Sequence, residues 1–255
     1  MNLNLVSATV GQGPHLVLLH GWGLNSGVWQ GIIKDLAAHF TITTIDLPGF
    51  GLNHAEMPDR YSLENVAQGV STLMPKNASL LGWSLGGLVA QQIALSFPQK
   101  VKQLILLATS PCFIAKGEWP GIKIQILDSF KNQLLDNPGA TVSRFLAIQA
   151  MGSPSAKHDI KLIKQQVDVH PPASPVALSA GLELLVTSDL RAKLIDLSMP
   201  CQLLLGRLDS LVPIKLKHDI QQLNPSIQVT VFEHSSHAPF ISQQGCFVDF
   251  LMSNK

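Results

Sequence analysis

The stretch Leu80-Leu81-Gly82-Trp83-Ser84-Leu85-Gly86-Gly87 constrains this chain more than any other part of it. Residues 78–83 are an apolar run that reads as a short buried strand. A serine between glycines follows, and residues 85–95 then read as a helix. Strand, G-x-S-x-G and helix in that order satisfy a nucleophile elbow, a turn so tight that the serine is held strained with its hydroxyl projecting. Side chains at positions 82 and 86 would collide there, so Gly82 and Gly86 are steric requirements. The helix start also sets unpaired backbone N–H groups beside the serine oxygen, where negative charge develops in acyl transfer. The same spacing also occurs in ordinary glycine-softened turns, so the rest of the chain has to decide.

Around this stretch the chain alternates strands and helices. Residues 2–10 alternate loosely and suit an edge strand, and 15–20 form a continuous apolar strand running into His20-Gly21-Trp22-Gly23. A helix over 26–38 and a β-branched strand over 40–45 come next. That strand ends in the turn-rich Asp46-Leu47-Pro48-Gly49-Phe50-Gly51. Ser62 suits the N-cap of the following helix, with Asn65 a weak substitute for a capping-box acid. Another apolar strand covers 101–108. This order predicts an α/β fold with a mostly parallel, doubly wound sheet and right-handed crossovers. A composition of 46% hydrophobic and 14% charged residues favours burial of both sheet faces. From 112 to 198 only helical periodicity remains, at 122–135, 141–151, 156–167 and 176–186. Strands return at 201–205 and 227–232, with helices over 213–223 and 239–252. The expected organisation is a core of 1–110 and 198–255 carrying an all-helical cap of 111–197.

Several function classes lose support on composition. Eighteen basic against seventeen acidic residues give a net charge of +1, so nothing global points to nucleic acid or an anionic membrane. Three dispersed cysteines without a C-x-x-C pair argue against a disulfide framework or zinc knuckle and for a reducing compartment. Residues 1–13 lack a basic segment followed by an apolar core, so no signal peptide is expected. No apolar run approaches the roughly 20 residues that span a bilayer. The expectation is a cytoplasmic protein, with nothing in the sequence that demands more than a monomer.

A serine hydroxyl is a poor nucleophile until a base takes its proton, and the base needs an orienting acid. Asp209 lies just beyond the strand 201–205, and His237 just beyond the strand 227–232. In an open parallel sheet, ligands gather at the carboxyl ends of strands, where Ser84, Asp209 and His237 would all fall. Asp46 and His234 are the rivals. Asp46 sits before Pro-Gly in an early loop and better suits a structural turn, while His234 directly follows its strand. Zinc bound by His234 and His237 lacks a third ligand cluster, and no metal or cofactor is expected. For the oxyanion, the N–H of Leu85 and that of Trp22 are the candidate donors. His20 is expected to brace the Trp22 loop, and Trp22 and Trp83 suit either a pocket wall or the core.

Together these motifs resemble the α/β-hydrolase superfamily over the whole chain. More narrowly, Leu18 to Asn25, Leu81 to Ala90, Ser110-Pro111-Cys112-Phe113 with Glu118 to Lys123, and His237 to Ser242 resemble the pimeloyl-[acyl-carrier protein] methyl ester esterase family of biotin synthesis. The resemblance implies a cofactor-free serine carboxylesterase that releases methanol from the distal end of a carrier-bound pimeloyl chain. It places the catalytic roles on Ser84, Asp209 and His237, and the oxyanion donors on Trp22 and Leu85. It places substrate contacts on Trp22, Phe145, Leu146, Ala147, Ile148, Gln149 and His237. Docking of an acidic acyl-carrier protein falls on Arg144, Lys157 and Lys161. Lys157, Lys161 and Lys164 stand at i, i+4 and i+7, so one helix face could steer such a partner. Ala140 and Ser143 leave Arg144 alone as a basic residue ahead of Phe145, which weakens the docking surface. Asn53 replaces the serine usual after the Pro-Gly-x-Gly loop, a change expected to be tolerated. The alternatives are a general short-chain esterase and a non-catalytic receptor on the same fold. A haloalkane dehalogenase would need aspartate where Ser84 stands.

Overall fold

Seven strands form one sheet in the order β1-β3-β2-β4-β5-β6-β7 in a computed structural model that describes residues 3–254. Met1, Asn2 and Lys255, which end the expected core and edge strand, lie outside the described residues. The strands are β1 Ser7–Gly11, β2 His15–Leu19, β3 Thr41–Ile45, β4 Ala78–Trp83, β5 Val101–Leu107, β6 Cys201–Gly206 and β7 Gln228–Phe232. Only β1 runs antiparallel, paired to β3 at the edge; every other pairing is parallel. The edge position explains its loose alternation, because all five β1 residues are exposed. Central β4 is buried at every position, which is why it reads as a continuous apolar run.

Side chains alternate across the sheet and divide the interior into two apolar layers. In β2, Val17 and Leu19 join one layer, while Leu16 and Leu18 join the other. Helices α1 (Gln30–Leu36), α2 (Leu63–Leu73) and α3 (Leu85–Ser96) connect the first strands. Every residue of α3 from 85 to 94 is buried, Gln91 and Gln92 included, so this helix is covered on all sides rather than amphipathic. Ser62 caps α2 as expected, accepting from Asn65 N–H at 3.2 Å. The capping box does not close, since the Asn65 amide donates to the Arg60 carbonyl.

After β5 the chain leaves the sheet and returns at β6. Between them lie α4 (Ile124–Asp136), α5 (Pro138–Ala150), α6 (Ala156–Val167) and α7 (Pro175–Thr187), referred to below as the cap. Asn137 caps α5 and Ser174 caps α7, each followed by a proline at the first helical position. This segment contains no strand among the described residues, only two isolated bridges, Ile114 to Ile122 and Lys116 to Trp119. Helices α8 (Leu216–Leu223), α9 (Pro239–Ser242) and α10 (Gln244–Ser253) complete the core. The single terminal helix expected over 239–252 is therefore two. Gln243 is non-helical at φ −131°, and its side-chain oxygen accepts from His234 N–H and Ser235 Oγ instead. Among the described residues, no helix is long and apolar enough to cross a membrane.

Candidate active site

Ser84 sits between the end of β4 and the start of α3 with φ 55° and ψ −118°. Such a backbone costs a non-glycine residue on the order of 1–3 kcal/mol, and the surroundings must enforce it. A Cβ on Gly82 would run into the Gly86 carbonyl, and one on Gly86 into the His20 carbonyl. Both glycines are thus demanded by close backbone approach. The Ser84 carbonyl is held from three sides, by the N–H groups of Gly87 and Leu88 and by Thr109 Oγ at 2.7 Å. Thr109 was not foreseen from the sequence. Its only signal there is a small polar residue directly after an apolar strand.

The three side chains brought together are those the spacing singled out. Asp209 Oδ2 lies 2.7 Å from His237 Nδ1, and His237 Nε2 lies 2.9 Å from Ser84 Oγ. A carboxylate accepts only, so Nδ1 carries the ring proton and Nε2 is left to accept from the serine hydroxyl. The other carboxylate oxygen of Asp209 accepts from Leu211 N–H at 2.8 Å and Val212 N–H at 3.0 Å, which fixes the acid from below. All three residues are buried, His237 completely. The backbone of His237 is anchored as well: its carbonyl accepts from Trp83 Nε1 at 2.7 Å, and its N–H donates to the Gln149 carbonyl at 3.1 Å. His234 is exposed, and its backbone N–H is held by Gln243.

His20 and Asp46 brace the neighbouring loops. His20 Nδ1–H donates to the Gly21 carbonyl at 2.8 Å, and Nε2 accepts from Leu47 N–H at 3.0 Å. Burial lowers the His20 pKa, outweighing the nearby Asp46 carboxylate, so the ring is neutral. Asp46 accepts from the backbone N–H groups of Ser26 and Leu52. Asn53 does more than substitute for a serine. Its amide exchanges hydrogen bonds with both backbone groups of Val6 and donates to the Asp46 carbonyl, tying the amino-terminal segment to this loop.

Leu85 opens α3, so its N–H has no acceptor within the helix. The Trp22 loop lies against the elbow, where a Cβ on Gly21 would be 3.2 Å from Ser84 Cβ. The cap closes over both. Gly181 of α7 allows the contact, since a Cβ there would be 2.8 Å from Trp22 Cδ1 and 3.3 Å from Leu85 Cδ2. Trp22 donates from Nε1 to the Leu178 carbonyl and meets the Phe145 ring at 4.8 Å. Trp83 packs in the core, edge-on to Trp29 and Phe240.

The segment 145–149 does not present one face. It spans more than a turn of α5, and a helix turns its residues through all directions over that length. Phe145, Leu146 and Gln149 are buried and Ile148 partly so, while Ala147 is exposed. Neither polar atom of the Gln149 side-chain amide has a hydrogen-bond partner, although the residue is 1% exposed. A cleft of about 760 Å³ opens beside the Trp22 loop, lined by Leu24, Val142, Leu146 and Leu178 with Lys164 and His170 among its polar walls. Lys157, Lys161 and Lys164 are all exposed on α6. Arg144 instead reaches back to α4, donating to Gln133 Oε1 at 2.9 Å with its guanidinium 5.6 Å from the Phe130 ring centroid.

Residues 14–244 match the family model described as alpha/beta hydrolase fold. The chain belongs to the alpha/beta hydrolase family. Within this family it is similar to curated proteins named pimeloyl-[acyl-carrier protein] methyl ester esterase. The one from Pseudoalteromonas atlantica is 53% identical over 255 residues, covering 100% of this chain and 99% of that protein. Its counterpart from Vibrio vulnificus is 46% identical over 253 residues, covering 99% and 98%. Among solved structures, an esterase from Exiguobacterium antarcticum superposes with a TM-score of 0.87 at 22% identity, covering 99% of this alpha/beta hydrolase and 95% of that chain. That last likeness speaks for the fold.

Proposed function

We propose that this alpha/beta hydrolase cleaves the methyl ester of pimeloyl-[acyl-carrier protein], releasing methanol and the free distal carboxylate. The observation that carries the reading is the unbroken chain of hydrogen bonds from Asp209 through His237 to Ser84. The identity of the methyl ester esterase relatives over their full length supports the choice of substrate.

His237 Nε2 takes the Ser84 proton as Oγ attacks the ester carbonyl. The carbonyl oxygen becomes an oxyanion, for which the N–H groups of Leu85 and Trp22 are the donors. One such donor is worth about 2.7–4 kcal/mol of transition-state stabilisation. Asp209 holds the imidazole in the Nδ1–H tautomer and stabilises the imidazolium without itself taking the proton. Collapse expels methoxide, which leaves as methanol with the proton from His237. A water, deprotonated by the same ring, then attacks the acyl-serine, and Ser84 recovers its proton as the carboxylate departs. The buried, unpartnered amide of Gln149 fits a role toward a polar group of the acyl chain, because an unsatisfied buried amide is costly until something pairs with it. The apolar cleft beside Trp22 suits the long acyl arm, and the lysines of α6 suit an acidic carrier outside it. Water-borne hydrolysis of a carrier-bound intermediate fits a cytoplasmic, cofactor-free enzyme.

The test compares kcat/KM for the carrier-bound pimeloyl methyl ester with that for short p-nitrophenyl esters. A carrier-bound ester favoured by at least about tenfold, roughly 1.4 kcal/mol of extra transition-state binding, agrees with the proposal. Equal or lower values for the carrier-bound ester point to a general short-chain esterase instead.

A further inference from the structure

We propose that Ser236 is a positioning residue, whose hydroxyl fastens the base His237 to the carboxyl-terminal turn of cap helix α5. The inference rests on His237 acting as the base.

The loop from 233 to 238 changes its attachment in the space of one residue. Ser235 belongs to the core: its carbonyl accepts from Leu208 N–H at 2.9 Å, and its hydroxyl donates to Gln243 Oε1 at 2.9 Å. Ser236 belongs to the cap. Its Oγ lies 2.8 Å from the Gln149 carbonyl and 2.9 Å from the Met151 carbonyl, with the Leu208 carbonyl farther off at 3.5 Å. The next N–H, that of His237, also goes to Gln149 at 3.1 Å. The last four carbonyls of a helix have no donor within it. Here Met151 and Ser153 N–H serve the Ile148 and Ala150 carbonyls, and the histidine loop supplies the donors for Gln149 and for Met151 just beyond the helix, so it caps part of the carboxyl end of α5. The loop gains an anchor and the helix gains satisfied carbonyls from the same contacts.

This makes the cap a part of the catalytic geometry. The ring of His237 reaches Asp209 and Ser84, which stand on the core, while its backbone is gripped partly by α5. The helix that presents Phe145, Leu146 and Gln149 is the one that sets where the base begins. The end of α5 is itself braced to α6, since Ser153 N–H donates to the Ala150 carbonyl and the hydroxyls of Ser153 and Ser155 both donate to the buried carboxylate of Asp159. Gln149, Asp159, Ser236 and Ala238 surround one small void, so cap and histidine loop meet with little intervening space. A single hydroxyl proton shared between two carbonyls closes this junction. Without it, the His237 N–H alone holds the loop to α5, and the 2.9 Å approach of Nε2 to Ser84 is free to drift. A misplacement of about 1 Å is enough to cost such a step on the order of a hundredfold.

The test measures kcat and KM on p-nitrophenyl butyrate, together with thermal midpoints, for the wild type, Ser236→Ala, Ser236→Thr and His237→Ala. Loss of one positioning hydrogen bond predicts that Ser236→Ala lowers kcat about tenfold while KM stays within about twofold. Ser236→Thr, which keeps the hydroxyl, should recover most of the loss. A kcat for Ser236→Ala within about twofold of wild type overturns the proposal. So does a threonine variant as slow as the alanine one, or a loss expressed mainly in KM. If Ser236→Ala does not fold, Ser236→Cys, near in size and a weaker donor, decides on the same criteria. His237→Ala with wild-type turnover would remove the base assignment and this inference with it. An inactive His237→Ala beside an unimpaired Ser236→Ala removes this inference alone.

Discussion

At Ser84 the backbone strain and the chemistry are separable. The residue keeps φ at 55° because Gly82, Gly86 and Thr109 hold the turn around it. Replacing the side chain removes the nucleophile but leaves the strain for alanine and relieves it for glycine. Ser84→Gly should therefore unfold at higher denaturant than Ser84→Ala by about 1 kcal/mol; equal midpoints would mean the turn is not strained. His20 gives a pH dependence of known sign. Its pKa is lowered by burial, so the unfolded chain binds a proton more readily than the folded one. The stability from keeping the ring neutral is present above the unfolded-state value of about 6.5 and is lost as pH falls through it toward the lowered folded value. Denaturation midpoints should fall between pH 7.5 and 5.5, and less steeply in His20→Gln; an unchanged slope in that variant would assign the dependence elsewhere. Asn53 carries a lesson about reading single positions. The sequence permits the view that asparagine is merely tolerated, because its partner Val6 lies 47 residues away and no local pattern connects them. Asn53→Ala should cost about 1–3 kcal/mol, chiefly by leaving the buried Asp46 carbonyl without its donor and releasing the part-buried backbone of Val6.

At the scale of elements, what could be read in advance followed from covalent neighbourhood. Strand, serine, glycines and helix are adjacent in the chain, so the elbow at 82–86 was legible. The positions of Asp209 and His237 after strands were legible for the same reason. Contacts made by rotating a helix were less so. The stretch 145–149 is continuous in sequence but not on one face, and Ala147 is its one exposed residue. Leu146→Ala should raise KM for long-chain methyl esters several-fold, whereas Ala147→Gln should leave it unchanged; a shift in the second comparable to the first would place substrate on the outer face. The break at Gln243 was hidden because a lone Gly245 is too weak a signal to divide residues 239–252, and the bonds that pull the Gln243 side chain away go to His234 and Ser235 in the preceding loop. Helix α6 bears the lysines without partners on its own helix, and Lys157→Glu with Lys161→Glu should raise KM for the carrier-bound ester about tenfold at low salt. The same double variant should not alter KM for a free methyl ester. A parallel rise for both substrates would show that the lysine face does not meet a carrier.

Taken as a whole, the molecule divides its tasks between a rigid sheet and a helical cap. The carboxyl ends of β4, β6 and β7 bring together Ser84, Asp209 and His237, the proposed nucleophile, acid and base, above two apolar layers. The cap packs Gly181 against Trp22 and Leu85, the proposed oxyanion donors, borders the cleft and holds His237, the proposed base, through Gln149. A fold of this kind hosts many reactions, so it is the contents of the edge that carry the assignment. The most direct measurement is methanol release from the carrier-bound pimeloyl methyl ester by wild type and by Ser84→Ala, with circular dichroism showing both folded. The account predicts turnover by the wild type and a loss of at least about 10³-fold in the variant. Undiminished methanol release by folded Ser84→Ala would contradict it.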